Sequence, residues 1–212
     1  MIIDVFQDTV CPWCRIGKKH LLDAIATWKG EEITIRYRSF FLDPTLPAEG
    51  RPFRETMEAT KGGKQVVDQM IHHVTEAGRR SGVTFHFDHV AKMPNTYKSH
   101  TVIKLASDDQ ATRLVEAFYQ AYFEDGLDIG DTDILVSIAT TVGLDATEVR
   151  NAIESDEKRD EIQEDLDLAQ QLQITGVPFY VLDNQLALSG AHPVENFHKA
   201  FEQLQDEKNQ ND

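Results

Sequence analysis

Cys11-Pro12-Trp13-Cys14 holds both cysteines of the chain, spaced so that the two sulfurs lie at one helix start. That pattern points to thiol chemistry. Ile2-Ile3-Asp4-Val5-Phe6 is an apolar, β-branched run that reads as a buried strand, and Gly17 to Trp28 carries apolar residues at helical intervals. Cys11 therefore falls at a strand-to-helix junction, where free backbone N–H groups and the positive end of the helix dipole favour a thiolate. Pro12 suits the first helical turn, where no N–H is needed.

Three other readings of the pair are weaker. A disulfide enclosing only two residues removes little entropy from the unfolded chain and stabilises weakly. A zinc site would need two further ligands that cannot be cysteines. Haem attachment requires a histidine after the second cysteine, and Arg15 stands there. The histidines at 72, 73, 86, 89 and 100 form no closed ligand set: His72 and His73 are adjacent and point to different helix faces, and His86 and His89 flank Asp88 in a turn, so no metal is expected.

Far along the chain, Thr175-Gly176-Val177-Pro178-Phe179-Tyr180-Val181-Leu182 places a proline at the opening of a short apolar strand. With these residues the chain resembles the thioredoxin superfamily, in which a proline after a cis peptide bond faces the CxxC motif. It is more specifically similar to the DsbA family, in its FrnE-like branch, through Asp8-Thr9-Val10-Cys11-Pro12-Trp13-Cys14, Gly17-Lys18, Met93-Pro94-Asn95-Thr96 with His100, and Thr175-Gly176-Val177-Pro178. These pieces spread over nearly the whole chain. The resemblance implies an α/β, thioredoxin-like fold interrupted by a large helical insertion domain, and dithiol–disulfide oxidoreductase activity. It brings Pro12, Trp13, Val177 and Pro178 into the site, with the Val177 backbone pairing with an extended substrate and Pro178 keeping a competing donor from the sulfurs. Trp13 and Phe179 are candidates for an apolar rim. Asn95, Thr96 and His100 match a family motif that would line the cleft, although a helix cap by Asn95 or Thr96 is the simpler role.

The elements that must position these residues can be read around them. A second strand is expected over Glu32 to Phe40, where apolar and polar residues alternate. Asp43 to Pro52 contains three prolines and a glycine and marks the exit from the first βαβ unit. Residues 1–43 and 174–212 are thus assigned to a discontinuous thioredoxin-like domain and 44–173 to the insertion. Within the insertion the periodicity predicts helices over Lys64 to Ser81, Thr96 to Ser107, Ala111 to Glu124, Thr132 to Val142 and Ala146 to Asn151, and one long charged helix from Asp156 through Gln173. The acidic residues from Glu154 to Asp167 are expected to form a solvated face, since calcium-loop spacing is absent. A hairpin turning at Asp183-Asn184 and a last helix from Pro193 follow, with a disordered tail over Asp206 to Asp212.

With 212 residues the chain can bury a sizeable core, and its formal charge of −15 argues against nucleic-acid partners. No stretch of about 18 apolar residues is present, so no membrane partner is expected. Met1 leads straight into a strand without a basic region and apolar run, which points to the cytoplasm. There a lone CxxC pair is catalytic or redox-sensing.

In the mechanism these residues suggest, Cys11 is the more exposed sulfur and the nucleophile that forms the mixed disulfide. Cys14, shielded by it, is the resolving thiol. Arg15, one turn from Cys11, would add to thiolate stability and Asp8 would oppose it. Trp13 brings no charge into the intervening dipeptide, so an intermediate potential is expected. The partner is a thiol- or disulfide-containing protein or small molecule. No cofactor is called for beyond glutathione as a redox partner, isomerase activity is compatible, and a monomer and a homodimer fit equally. Two rival functions remain open: a glutathione-dependent isomerase or kappa-class-like glutathione transferase, whose members resemble this fold but carry serine at the Cys11 position, and a noncatalytic redox-sensing or metal-binding module.

Overall fold

In β1 (Ile2–Gln7) the side chains alternate between two buried faces, and this alternation organises the molecule. The computed structural model describes residues 1–211. After β1 come α1 (Pro12–Thr27), β2 (Thr34–Ser39), β3 (Arg51–Pro52), α2 (Phe53–Lys61), α3 (Lys64–Arg80), β4 (Lys92–Met93), α4 (Tyr97–Leu105), α5 (Asp108–Phe123), α6 (Thr132–Thr141), α7 (Ala146–Ser155), α8 (Arg159–Gln171), β5 (Phe179–Leu182), β6 (Leu186–Ser189) and α9 (Val194–Asn211).

Four strands form one sheet in the order β2-β1-β5-β6. β1 runs parallel to β2, with Val5 opposite Tyr37, and antiparallel to β5, with Val5 opposite Tyr180. The parallel pair requires a crossover, which α1 supplies. Ile3, Val5, Ile35, Tyr37, Tyr180 and Leu182 face the main core, with Ile16 and Leu21 of α1 and Phe197 and Phe201 of α9. Phe6 and Val181 point to the other face and pack with Ala169 and Ile174 at the end of α8. This α/β sheet with intervening helices is the thioredoxin-like fold with a helical insertion that the sequence implies.

Gly17 lets α1 approach the sheet. A Cβ there would collide with the Tyr180 hydroxyl and lie 3.0 Å from Pro178 Cγ. At the β5–β6 hairpin, where Leu182 pairs with Leu186 across three residues, Asp183 and Asn184 both have positive φ, 47° and 57°, the left-handed pair of a primed turn closed by Gln185 N on Leu182 O at 2.9 Å.

Several elements differ from their sequence readings. The expected tail from Asp206 instead continues α9 to Asn211, because Lys208 pairs with Glu31 (2.5 Å) and Asp183 (2.8 Å) and so fastens the last turns to the sheet edge. Asp212 lies outside the described residues. The long helix expected from Asp156 begins at Arg159, since Asp156 takes a left-handed conformation that terminates α7. Helix α2 and the β3–β4 pair, in which Arg51 aligns with Met93, lie in a stretch the periodicity left unassigned.

The acidic face of α8 is only partly solvated. Asp165 is fully buried, where it accepts from Arg38 Nη1 (3.0 Å) and Ser39 N (2.7 Å) and pairs with Lys104 of α4. Arg38 also bonds Asp4 (2.7 Å), as does Arg36, so a charged seam joins β1, β2, α4 and α8. Among the described residues no helix is long and apolar enough to cross a membrane.

Removing one member of a buried charge network leaves the others uncompensated, at a cost of about 3 kcal/mol. Asp165→Ala is therefore expected to lower stability by that order in urea unfolding. Glu164→Ala, on the exposed side of the same helix, should change it by less than about 0.5 kcal/mol.

Candidate active site

Cys11 is the residue on which α1 begins. Its backbone is extended (φ −90°, ψ 109°), and its sulfur accepts the N–H of Cys14 at 3.2 Å in the place a serine or aspartate cap would fill. Pro12 occupies the first helical position, and no acidic residue stands in the first turn to oppose negative charge on the sulfur. On its other side, Cys11 Sγ lies 3.6 Å from the carbonyl oxygen of Val177. The Val177–Pro178 peptide is cis, and Pro178 O accepts from Gly190 N at 2.8 Å. The fold thus brings Cys11, Pro12, Cys14, Val177 and Pro178 together from opposite ends of the chain.

Both cysteines are free, and both are buried, with 3% of Cys11 and 2% of Cys14 exposed. Exposure therefore does not distinguish the sulfurs as the sequence suggested. Their surroundings do. The Cys14 thiol is pushed well above its ordinary range, first by burial, then by its hydrogen bond to and the charge of Cys11. Burial thus favours the protonated form of Cys14.

Trp13 is 37% exposed beside the pair, its ring centroid 5.7 Å from that of His73 on α3. Leu42, also exposed, lies near the same loop, its N–H bonded to Asp8 Oδ2 at 2.8 Å. Phe179 is half-buried and packs with the small cluster of Phe6 and Val181 on the α8 side of the sheet.

Arg15 does not serve the sulfurs. Its guanidinium is buried and donates to Glu116 Oε1 (3.0 and 3.2 Å), to Thr84 O (2.7 Å) and to Glu124, and it lies over the Phe85 ring. Lys18 reaches the other oxygen of Glu116 at 3.0 Å. Two cations on one face of α1 thus bind α5 and the Thr84 segment, fixing the orientation of the helix that carries the cysteines. Burial lowers the Lys18 amine. The Glu116 carboxyl is held below its usual range because the Lys18 and Arg15 charges outweigh its own desolvation.

The Met93-to-His100 motif acts behind the loop. Asn95 accepts from Tyr97 N (3.0 Å) and donates to Leu46 O (2.7 Å), so it caps the start of α4 and ties down the proline-rich segment. Thr96 is buried, and its carbonyl accepts from Ser99 Oγ (2.8 Å) and His100 N (3.1 Å). Ser99, which the sequence reading passed over, shares a 2.7 Å hydrogen bond with Thr9. His100 is 1% exposed and puts Nε2 3.5 Å from Asp8 Oδ1. These residues brace residues 8–10 from below. Asp8 O accepts the Cys11 N–H at 3.0 Å and so closes the loop. Among the described residues, no group of three or more histidine, cysteine or acidic side chains has the arrangement to hold a metal.

Two outcomes follow. Iodoacetamide at neutral pH should alkylate Cys11 and spare Cys14 until alkaline pH, as read by peptide mass spectrometry. Glu116→Gln should destabilise the protein at pH 7. Because the folded carboxyl is depressed, its contribution is present above the ordinary glutamate value and is lost as pH falls through the folded one. The difference in melting temperature between variant and parent should therefore shrink on acidification below about pH 4.

The chain is similar to known proteins. The family model for the DSBA-like thioredoxin domain matches residues 2–202. A probable DsbA oxidoreductase from Streptomyces coelicolor is 32% identical and superposes with a TM-score of 0.85, over 96% of this chain and 89% of that one. The uncharacterized protein YwbO of Bacillus subtilis is 27% identical over 208 residues, 97% of this chain and 98% of its own. The cytosolic disulfide reductase DsbM of Pseudomonas aeruginosa, solved with GSH, is 15% identical with a TM-score of 0.67, over 97% of this chain and 100% of that one, a likeness of fold alone. With a cysteine-capped helix facing a cis-proline segment, and a family match across nearly its whole length, the chain belongs to the DSBA-like thioredoxin domain family.

Proposed function

We propose that the protein is a thiol–disulfide oxidoreductase in which Cys11 is the nucleophile and Cys14 the resolving thiol. The observation that carries this reading is the cap itself. Cys11 Sγ accepts the Cys14 N–H, a donor that favours a thiolate, whereas burial pushes the Cys14 thiol upward. In the reductive direction the Cys11 thiolate attacks a substrate disulfide, forming a Cys11–substrate bond and releasing one substrate thiolate. Cys14 then loses its proton to the medium and attacks Cys11 Sγ, which closes the Cys11–Cys14 bridge and releases the second thiolate. Two electrons pass from the dithiol to the substrate. Oxidation of a substrate dithiol is the same sequence reversed, and isomerisation is release at the mixed-disulfide stage to another substrate thiol.

Val177 O, 3.6 Å from Cys11 Sγ, marks the side from which an extended substrate would approach. Exposed Trp13 offers an apolar surface next to it. Thiol- or disulfide-containing molecules are the substrates that membership of the family implies. A cytoplasmic setting with glutathione as the redox partner is our reading, supported by the fold shared with a cytosolic disulfide reductase solved with GSH. A sulfur where the glutathione-dependent isomerases carry serine, paired with a second buried cysteine, favours disulfide exchange over isomerisation of an electrophile.

The test is to trap the intermediate. Cys14→Ser incubated with oxidised glutathione should gain one glutathionyl group at Cys11 that persists, whereas the parent resolves it and Cys11→Ser gains none. Labelling of Cys14 in preference to Cys11 would contradict the assignment.

A further inference from the structure

His20 of α1 is half-buried, and both of its ring nitrogens are engaged. Nδ1 lies 2.8 Å from the carbonyl oxygen of His192, in the loop between β6 and α9. A carbonyl only accepts, so Nδ1 is the nitrogen that donates in this bond. Nε2 lies 2.9 Å from the hydroxyl of Ser81, the residue that ends α3. One side chain thus joins the helix of the cysteines to the 190–193 loop and to the insertion.

The loop leads to the segment that faces Cys11. His192 N donates to Gly190 O (2.9 Å) and Gly190 N donates to Pro178 O (2.8 Å), so a run of hydrogen bonds passes from His20 through the loop to the backbone beside Val177. The same loop rests on α1 one turn before His20, where an added Cβ at Gly17 would lie 3.0 Å from Pro178 Cγ and 3.4 Å from Ala191 Cα. Asn196 holds the His192 side chain at 2.9 Å and leaves its carbonyl to His20. The sulfur is held separately, since Cys11 Sγ takes its N–H from Cys14 within α1.

We propose that His20 is a positioning residue for the Val177–Pro178 segment, and that it sets how tightly an extended peptide disulfide docks beside Cys11 while leaving the reactivity of the sulfur unchanged. This rests on the proposed function and narrows its substrate class to polypeptides whose backbone can lie along Val177. A docking edge is only as precise as the groups that hold it. Pairing of Phe179 with Ser189 holds the strand that follows the segment, and His20 holds the loop that follows Ser189. The bond to His192 does the positioning, and the bond to Ser81 orients the ring.

The experiment is single-turnover oxidation of the reduced protein by a disulfide-bonded peptide and by a small aromatic disulfide that has no peptide backbone. His20→Ala and His20→Gln should raise the half-saturating peptide concentration about fivefold, the order of one net hydrogen bond, with the maximum rate and the rate on the small disulfide held within about twofold. His20→Asn puts an amide N–H where Nδ1 stands, and His192→Ala keeps the carbonyl, so both should match the parent. Ser81→Ala, which spares the bond to His192, should also stay near the parent. Equal slowing on both disulfides, an unchanged half-saturating concentration in folded His20→Ala, or His20→Asn or Ser81→Ala as impaired as His20→Ala would each overturn the proposal. Should His20→Ala not fold, the Asn and Gln variants decide, because each keeps one of the two bonds. A parent that reacts with neither disulfide overturns the proposed function and this inference with it, whereas a parent that reacts with both and is matched by every variant overturns this inference alone.

Discussion

One residue has two duties in this account, since Cys11 caps α1 and is also the sulfur proposed to attack. A helix start leaves its first N–H groups without partners, and here one of them is satisfied by the sulfur of Cys11, at 3.2 Å from Cys14 N. Any movement of α1 relative to the loop before it would separate the donor from the sulfur. Much of the molecule holds that junction still. Asp8 O takes the Cys11 N–H, Thr9 is bonded to Ser99, and Arg15 and Lys18 bind the same helix to Glu116.

The helical insertion is therefore part of the site's construction as well as of its surroundings. Glu116 and Glu124 of the α5 region hold α1 from one side, while Ser99 and His100 of α4 hold the 8–10 loop from another. The sheet supplies the third side through Val177 and Pro178, and Gly17 allows α1 to lie close enough for Cys11 to meet the Val177 carbonyl. The charged seam from Asp4 through Arg38 to Asp165 then fastens α8 over the opposite face of that sheet, upstream of the Val177 segment.

The strand–CPWC–helix unit, the Pro178 strand and the main helices were legible because their signals are local: period-two alternation in Ile2–Gln7, helical periodicity in α1, a proline ahead of an apolar run. The roles of Arg15, Asp165 and His100 were not. Each is a polar residue on a helix whose side-chain ion-pair and hydrogen-bond partners lie 61 to 127 residues away, for example Asp165 with Lys104 and Arg38 and Arg15 with Thr84, so its sequence neighbourhood resembles a solvated face. Ser99 carried no signal because a small hydroxyl between a lysine and a histidine means nothing until Thr9 is placed opposite it. The final turns of α9 were misread for the same reason, as Lys208 finds Glu31 and Asp183 only in three dimensions.

The central claim is that Cys11 and Cys14 interconvert reversibly between dithiol and disulfide. Equilibration of the protein in glutathione buffers of graded ratio, with the two redox forms separated after acid quenching, tests it most directly. The account predicts a single two-electron transition with a potential between roughly −120 and −270 mV, the range spanned by strongly oxidising and reducing members of the superfamily. The absence of any Cys11–Cys14 disulfide across the whole range of glutathione ratios would contradict it.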